Sequence, residues 1–181
     1  MKLLLSPHND DAVLFAAFTI LREQPIVITC LDGNLQRLRG ENVTAEERRE
    51  EDKRAMGILG VQVDFLGISD AKSFESIYQE GGKLLRERGD FERVWAPAVE
   101  EGGNLQHNLI GELALDVFGS DRVTGYLTYT NRGKSTSSRN VTILYGEWVS
   151  LKLRALASYL SQMRVENCRP HFLRSLEEYY A

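Results

Sequence analysis

Near the start of the chain, Ser6-Pro7-His8-Asn9-Asp10-Asp11 places an imidazole beside two adjacent carboxylates. Imidazole nitrogen and carboxylate oxygen are both zinc ligands. Adjacent residues generally project in different directions, so the two acids have separate jobs. A sterically reasonable division puts His8 and Asp11 on a metal and directs Asp10 at a water; spacing leaves His8 with Asp10 open as the alternative pair. A plainer use exists, because either acid can cap a helix that begins near Ala12 by accepting from its free N–H groups. An acidic pair after a first strand also fits a phosphoacceptor receiver domain holding magnesium, with Asp70 and Lys134 as poor candidates for its later acid and lysine. That reading leaves His8 unused, since magnesium prefers oxygen ligands.

The chain has three histidines, His8, His107 and His171. His107 lies at a helix start, after a passage containing Trp95, Pro97 and Gly102-Gly103. An α/β layout returns it to the sheet edge that carries His8. His8, Asp11 and His107 would then form a two-His, one-carboxylate set with room for water, a common catalytic-zinc arrangement. A lone histidine at a helix start is more often a surface or supporting residue. His171 serves in proton transfer only if the terminal segment folds back over the site.

The elements that must position these residues alternate between apolar runs and amphipathic stretches. Strands are expected at Lys2–Leu5, Ile26–Cys30, Val61–Leu66, Phe91–Pro97, Val123–Tyr129 and Val141–Tyr145. Helices are expected at Ala12–Glu23, from Thr44 to about Leu59, at Ser73–Arg88 with an interruption at Gly81-Gly82, at Gln106–Phe118, at Glu147–Val165 and at His171–Tyr180. Thr44 with Glu47 three residues on is a capping-box signature. The charge run Glu46–Arg54 reads as a solvated helix face, with Arg48 the exception. Thr130–Asn140 reads as an exposed polar loop whose Arg132, Lys134 and Arg139 would suit an anionic group. Trp148, Leu151, Leu156, Tyr159 and Leu160 read as core or subunit contacts. The βαβα order predicts a three-layer α/β/α sandwich with a mainly parallel, Rossmann-like sheet. Functional residues then gather beyond the carboxyl ends of the strands. No repeat or linker divides residues 1–181, which read as one domain.

With 181 residues, 43% of them apolar and 27% charged, the chain can bury one sizeable core and is not a disordered or collagen-like sequence. A formal net charge of -4 does not suggest general nucleic-acid binding. No apolar run is long enough for stable membrane insertion and no signal peptide opens the chain. Two cysteines, Cys30 and Cys168, make no disulfide framework, so a reducing, cytoplasmic setting is expected.

The same residues carry a resemblance that covers almost the whole chain in order. Pro7-His8-Asn9-Asp10-Asp11-Ala12, Arg48-Arg49-Glu50-Glu51, Ala55, Leu59-Gly60-Val61, Phe65–Asp70, Asn104-Leu105-Gln106-His107, Lys152 and Ser161-Gln162 follow one another as the motifs of a known family do. The chain resembles the GlcNAc-phosphatidylinositol de-N-acetylase, or LmbE-like, family of zinc deacetylases. The resemblance implies a zinc-dependent hydrolase that removes an acetyl group from an N-acetylated amino sugar or its conjugate. It casts His8, Asp11 and His107 as zinc ligands, with another divalent metal such as Fe2+ as the alternative occupant. It casts Asp10 as the general base, and Arg48 and Asp70 as substrate-side residues. Three positions depart from the family pattern. Asn9 stands for Pro, and Ala12 for a Glu at the rim of the site or just behind its ligands. Asn104 stands for a His that stabilises the reacting carbonyl oxygen or moves a proton; an amide can help with the oxyanion but is no general acid. The losses at Ala12 and Asn104 motivate the alternative, a catalytically degenerate relative that binds carbohydrate conjugates without hydrolysing them. The implied partner is a small-molecule amino-sugar conjugate, and the oligomeric state stays open.

Overall fold

Leu3 and Leu5 face one side of a central sheet and Leu4 the other, and all three are fully buried. Such period-two burial on both faces marks a strand covered by helices above and below. The fold was obtained as a computed structural model that describes residues 1–33, 43–129, 139–140, 146–164 and 178–180. Strands β1 (Lys2–Ser6), β2 (Ile26–Leu31), β3 (Val63–Ile68), β4 (Arg93–Pro97) and β5 (Val123–Tyr126) are mutually parallel. Two short strands, β6 (Arg139–Asn140) and β7 (Tyr179–Tyr180), add antiparallel pairs at one edge, giving the order β3-β2-β1-β4-β5-β7-β6. This is the mainly parallel α/β/α, Rossmann-like sheet that the element order predicts. Its first five strands follow the order 3-2-1-4-5 rather than the 2-1-3-4-5 of flavodoxin-like receivers, which removes the receiver reading.

Helices α1 (Asp11–Glu23), α2 (Ala45–Ile58) and α5 (Gly146–Leu156) contribute to the core that contains Leu4. Helices α3 (Phe74–Glu87) and α4 (Leu105–Phe118) cover the opposite face. Thr44 caps α2 by accepting from the Glu47 amide at 3.1 Å. Helix α3 runs unbroken through Gly81-Gly82, where an interruption was expected. These glycines serve packing: a Cβ at Gly81 would lie 2.7 Å from Leu113 Cδ2 of α4. The long helix expected over Glu147–Val165 is instead α5 and a short α6 (Leu160–Arg164), separated at residues 157–159. The break lets Tyr159 turn fully inward while Leu160, expected to be covered, is exposed. Tyr179–Tyr180 is strand rather than the end of a helix, and residues 171–177 of that expected helix lie outside the described residues. So do the expected strand 141–145 and residues 130–138 of the expected loop, while Arg139–Asn140 at the loop's end is strand, held by antiparallel pairing with β7. No described helix is long and apolar enough to cross a membrane.

The charge run of α2 is not simply a solvated face. Lys53 pairs with Glu50 in solvent, but Arg48, Glu51 and Asp52 are all buried. Glu51 accepts from the amide and hydroxyl of Ser161, which ties α2 to α6. Asp52 accepts from Thr29 Oγ1 and Tyr159 Oη, each at 2.7 Å. Burial pushes the Asp52 carboxyl up to about 7, against the pull of those two hydroxyls. The unfolded chain therefore ionises this acid before the folded one does, and folding loses stability as pH rises from about 4 to about 7. Asp52→Asn keeps an oxygen for one hydroxyl and offers an N–H to the other. In urea unfolding its stability relative to wild type should rise across that window by up to a few kcal/mol, at about 1.4 kcal/mol per pH unit, and level off above it. A pH-independent difference would contradict the assignment.

Candidate metal centre

The strand order reverses its direction of growth between β1 and β4, and the crevice beyond the carboxyl ends of these two strands is where an open α/β sheet holds ligands. The first brings Ser6–Asp11 to that crevice and the second, through residues 98–104, brings the start of α4. Ser6 sets the local geometry. Its hydroxyl donates to the His8 carbonyl at 2.6 Å and accepts from the Ala12 amide at 3.0 Å, so a serine six residues before Ala12 satisfies an amide in the first turn of α1. Asp10 occupies the N-cap position but makes no side-chain capping bond. Asp11 spends Oδ2 on the His8 amide at 3.0 Å. The capping use of these acids is thus overturned: Ser6 does that work and the carboxylates are turned into the crevice.

His8 Nδ1 lies 3.0 Å and His107 Nε2 3.1 Å from the same oxygen, Asp11 Oδ2. One ligand atom from each of the three residues lies within 4.8 Å of the others. Burial alone would raise the Asp11 pKa, but the two imidazoles outweigh it and hold this acid well below the usual carboxylate range. Burial opposes the His8 imidazolium, yet its bond to Asp11 leaves the pKa raised. The Tyr129 hydroxyl donates to Asp11 Oδ1 at 3.4 Å, and its ring packs 5.5 Å from that of His107. The donor set fits a divalent metal such as zinc: two imidazole nitrogens and a carboxylate oxygen converge, from the bend after β1 and the first turns of α1 and α4. His107 Nδ1 is buried without a hydrogen-bond partner among the described residues.

Asp10 points elsewhere, to Arg48. Arg48 Nη2 is 3.1 Å from Asp10 Oδ1, with the guanidinium almost fully buried, and Nη1 donates to the Gly33 carbonyl at 3.3 Å. Gly33 has φ +69°, and a Cβ there would run into Arg48 Nη1, so the close approach needs glycine at this position. Burial and the neighbouring Asp11 charge raise the Asp10 pKa, and Arg48 only partly offsets them. Asn104 caps α4 through Oδ1, which accepts from the amides of Gln106 at 2.9 Å and His107 at 3.3 Å. Asp70 presents its backbone carbonyl to Gln106 Nε2 at 3.3 Å. Ala12 is fully buried in the apolar core, where it serves packing.

A cavity of about 220 Å3 gathers His8, Asp10, Asp11, Arg48, Asp70, Asn104, His107 and three residues given no role from sequence, Gln106, Tyr129 and Gln162. Gln106 directly precedes His107 and Tyr129 ends an apolar run, but neither side chain announces chemistry by its type. His171, Arg132 and Lys134 lie outside the described residues, as does the side chain of Arg139.

A family profile described as PIG-L, GlcNAc-PI de-N-acetylase, matches residues 3–118, more than half of the chain. No curated protein matches. Among solved structures, a triple mutant of a deacetylase involved in teicoplanin biosynthesis is similar at 20% identity, with TM-score 0.77, over 99% of this chain and 95% of that one. A conserved protein of Thermus thermophilus is similar at 20% identity and TM-score 0.73, over 99% and 93%. The 4-carboxy-2-hydroxymuconate hydratase of Pseudomonas putida is similar at 21% identity and TM-score 0.71, over 96% and 84%.

Proposed function

The chain belongs to the PIG-L family, and from that premise we propose that it is a metal-dependent amide hydrolase. Its proposed reaction removes an acetyl group from an N-acetylated amino sugar or a conjugate of one. The observation that carries this reading is the convergence of His8 Nδ1 and His107 Nε2 on Asp11 Oδ2, with the Asp10 carboxylate lining the same cavity. When bound to this donor set, zinc supplies a Lewis acid and a water acidified to a pKa of about 7.

Asp10 takes the proton of the attacking water and passes it to the amide nitrogen as the C–N bond breaks, leaving acetate and the free amine. Arg48 keeps Asp10 in place for both transfers. Asn104 has its oxygen committed to the cap of α4, so its Nδ2 amide is the group left to stabilise the oxyanion. No proton can come from Asn104, and proton movement therefore runs through Asp10.

The test is acetate release by the zinc-loaded protein from a panel of N-acetylated amino sugars and their conjugates. The expected result is one acetate and one amine per turnover. Saturable binding without acetate release would instead favour a degenerate binding protein, the reading that the loss of an ionisable group at Asn104 motivates.

A further inference from the structure

Gln106 stands between two strand ends that carry the site. It is on the first turn of α4, and its side chain reaches both His8, beyond β1, and Asp70, beyond β3. The direction of these contacts can be worked out without seeing a hydrogen. The Asp70 carbonyl only accepts, so the Gln106 amide group facing it at 3.3 Å is the Nε2 donor. The other end, Oε1, then faces His8 Nε2 at 3.0 Å. An amide oxygen only accepts, so His8 Nε2 carries the hydrogen. Without a metal, Nδ1 can also donate to Asp11 Oδ2 at 3.0 Å; an imidazole that ligates a metal is neutral with a single N–H, and with that hydrogen on Nε2 the lone pair left for the metal is on Nδ1.

We propose that Gln106 is the positioning residue that fixes the tautomer of His8, with the Asp70 carbonyl holding the amide the right way round. This rests on the metal reading above. It gives Asp70 a part through its backbone, independent of any contact its carboxylate makes with substrate. It also means that the ligand is backed by a neutral amide rather than a carboxylate, so His8 is oriented without gaining a second negative charge and its basicity stays modest.

Zinc dissociation constants, measured by competition with a chromogenic chelator, test this for wild type, Gln106→Leu and Gln106→Glu. Leucine is apolar and of broadly similar bulk but cannot accept from His8, and it should weaken zinc binding about 10- to 100-fold. Glutamate keeps an oxygen facing His8 and should recover most of the loss, which a mere packing role would not. Long-range 1H–15N NMR of the zinc-loaded wild type should show His8 protonated on Nε2, a readout that depends on no variant folding. Wild-type affinity in Gln106→Leu, or a His8 proton on Nδ1, would overturn the assignment while leaving the metal site standing. A wild type that takes up no zinc would overturn the metal reading itself, and the assignment with it.

Discussion

Asp10→Asn should keep zinc on the protein and lower turnover by about 10²- to 10⁴-fold, the range a positioned proton-transfer group contributes. Asp10 does not belong to the trio that converges on Asp11 Oδ2; its Oδ1 is 3.1 Å from Arg48 Nη2. An asparagine oxygen can still accept from that guanidinium, so the change removes the proton-accepting oxygen and largely spares the geometry. Burial and the charge of Asp11 raise the Asp10 pKa, which suits a group that must first gain a proton and then give it up. Steady-state kinetics with metal content measured on the same sample separates the outcomes. Unchanged turnover would remove Asp10 as the base, and lost metal would make it a ligand or a support for one.

The second large effect concerns stability, at a place the mechanism depends on without using. Helix α1 breaks at Ala16, whose φ of -142° is not helical. In an unbroken helix the Phe18 amide would bond to the Leu14 carbonyl. Here Leu14 O accepts from Lys152 Nζ at 3.1 Å and Phe18 N donates to Glu178 Oε1 at 2.7 Å. Lys152 and Glu178 pair with each other at 2.9 Å, and both are essentially inaccessible. The ion pair is inserted into the ladder, a recognised cause of a sharp kink. It also ties the helix that begins at Asp11 to α5 and to the end of the described chain. Lys152→Met should destabilise the fold by about 3–5 kcal/mol, because it leaves a buried carboxylate without its countercharge. Adding Glu178→Gln should recover part of that loss, since the amide still accepts from Phe18 N. Chemical denaturation of the single and double variants reads both effects; a Lys152→Met protein as stable as wild type would show that the pair is not stabilising.

The five parallel strands were legible because each is built on a short apolar run, whereas β6 and β7 fall in segments that read as loop and helix; the three convergent residues were legible because imidazoles and paired acids are rare enough to notice. The parallel sheet then required His8 and His107 to meet at the ends of β1 and β4. What stayed hidden depends on where a polar side chain lands. Nothing in Glu50-Glu51-Asp52-Lys53 says which charges are buried; that follows from α2 packing against Thr29, Tyr159 and Ser161. Gly81-Gly82 looked like a break because glycine weakens a helix, whereas α3 needs the missing side chain at 81 to pack closely on Leu113 of α4. Ser6 looked like a loop residue, yet its hydroxyl satisfies the Ala12 amide at the start of α1, work that sequence assigned to the acids. Gln106 was hidden because its role is to orient another residue.

The central claim is that His8, Asp11 and His107 hold one metal ion. Elemental mass spectrometry of wild type and His107→Ala, purified side by side without added metal and again after controlled reconstitution, tests it directly. About one zinc or other divalent ion per wild-type chain, with little in the variant, is the expected result. A wild type that holds no metal even after reconstitution, or a variant that holds as much as wild type, would contradict it.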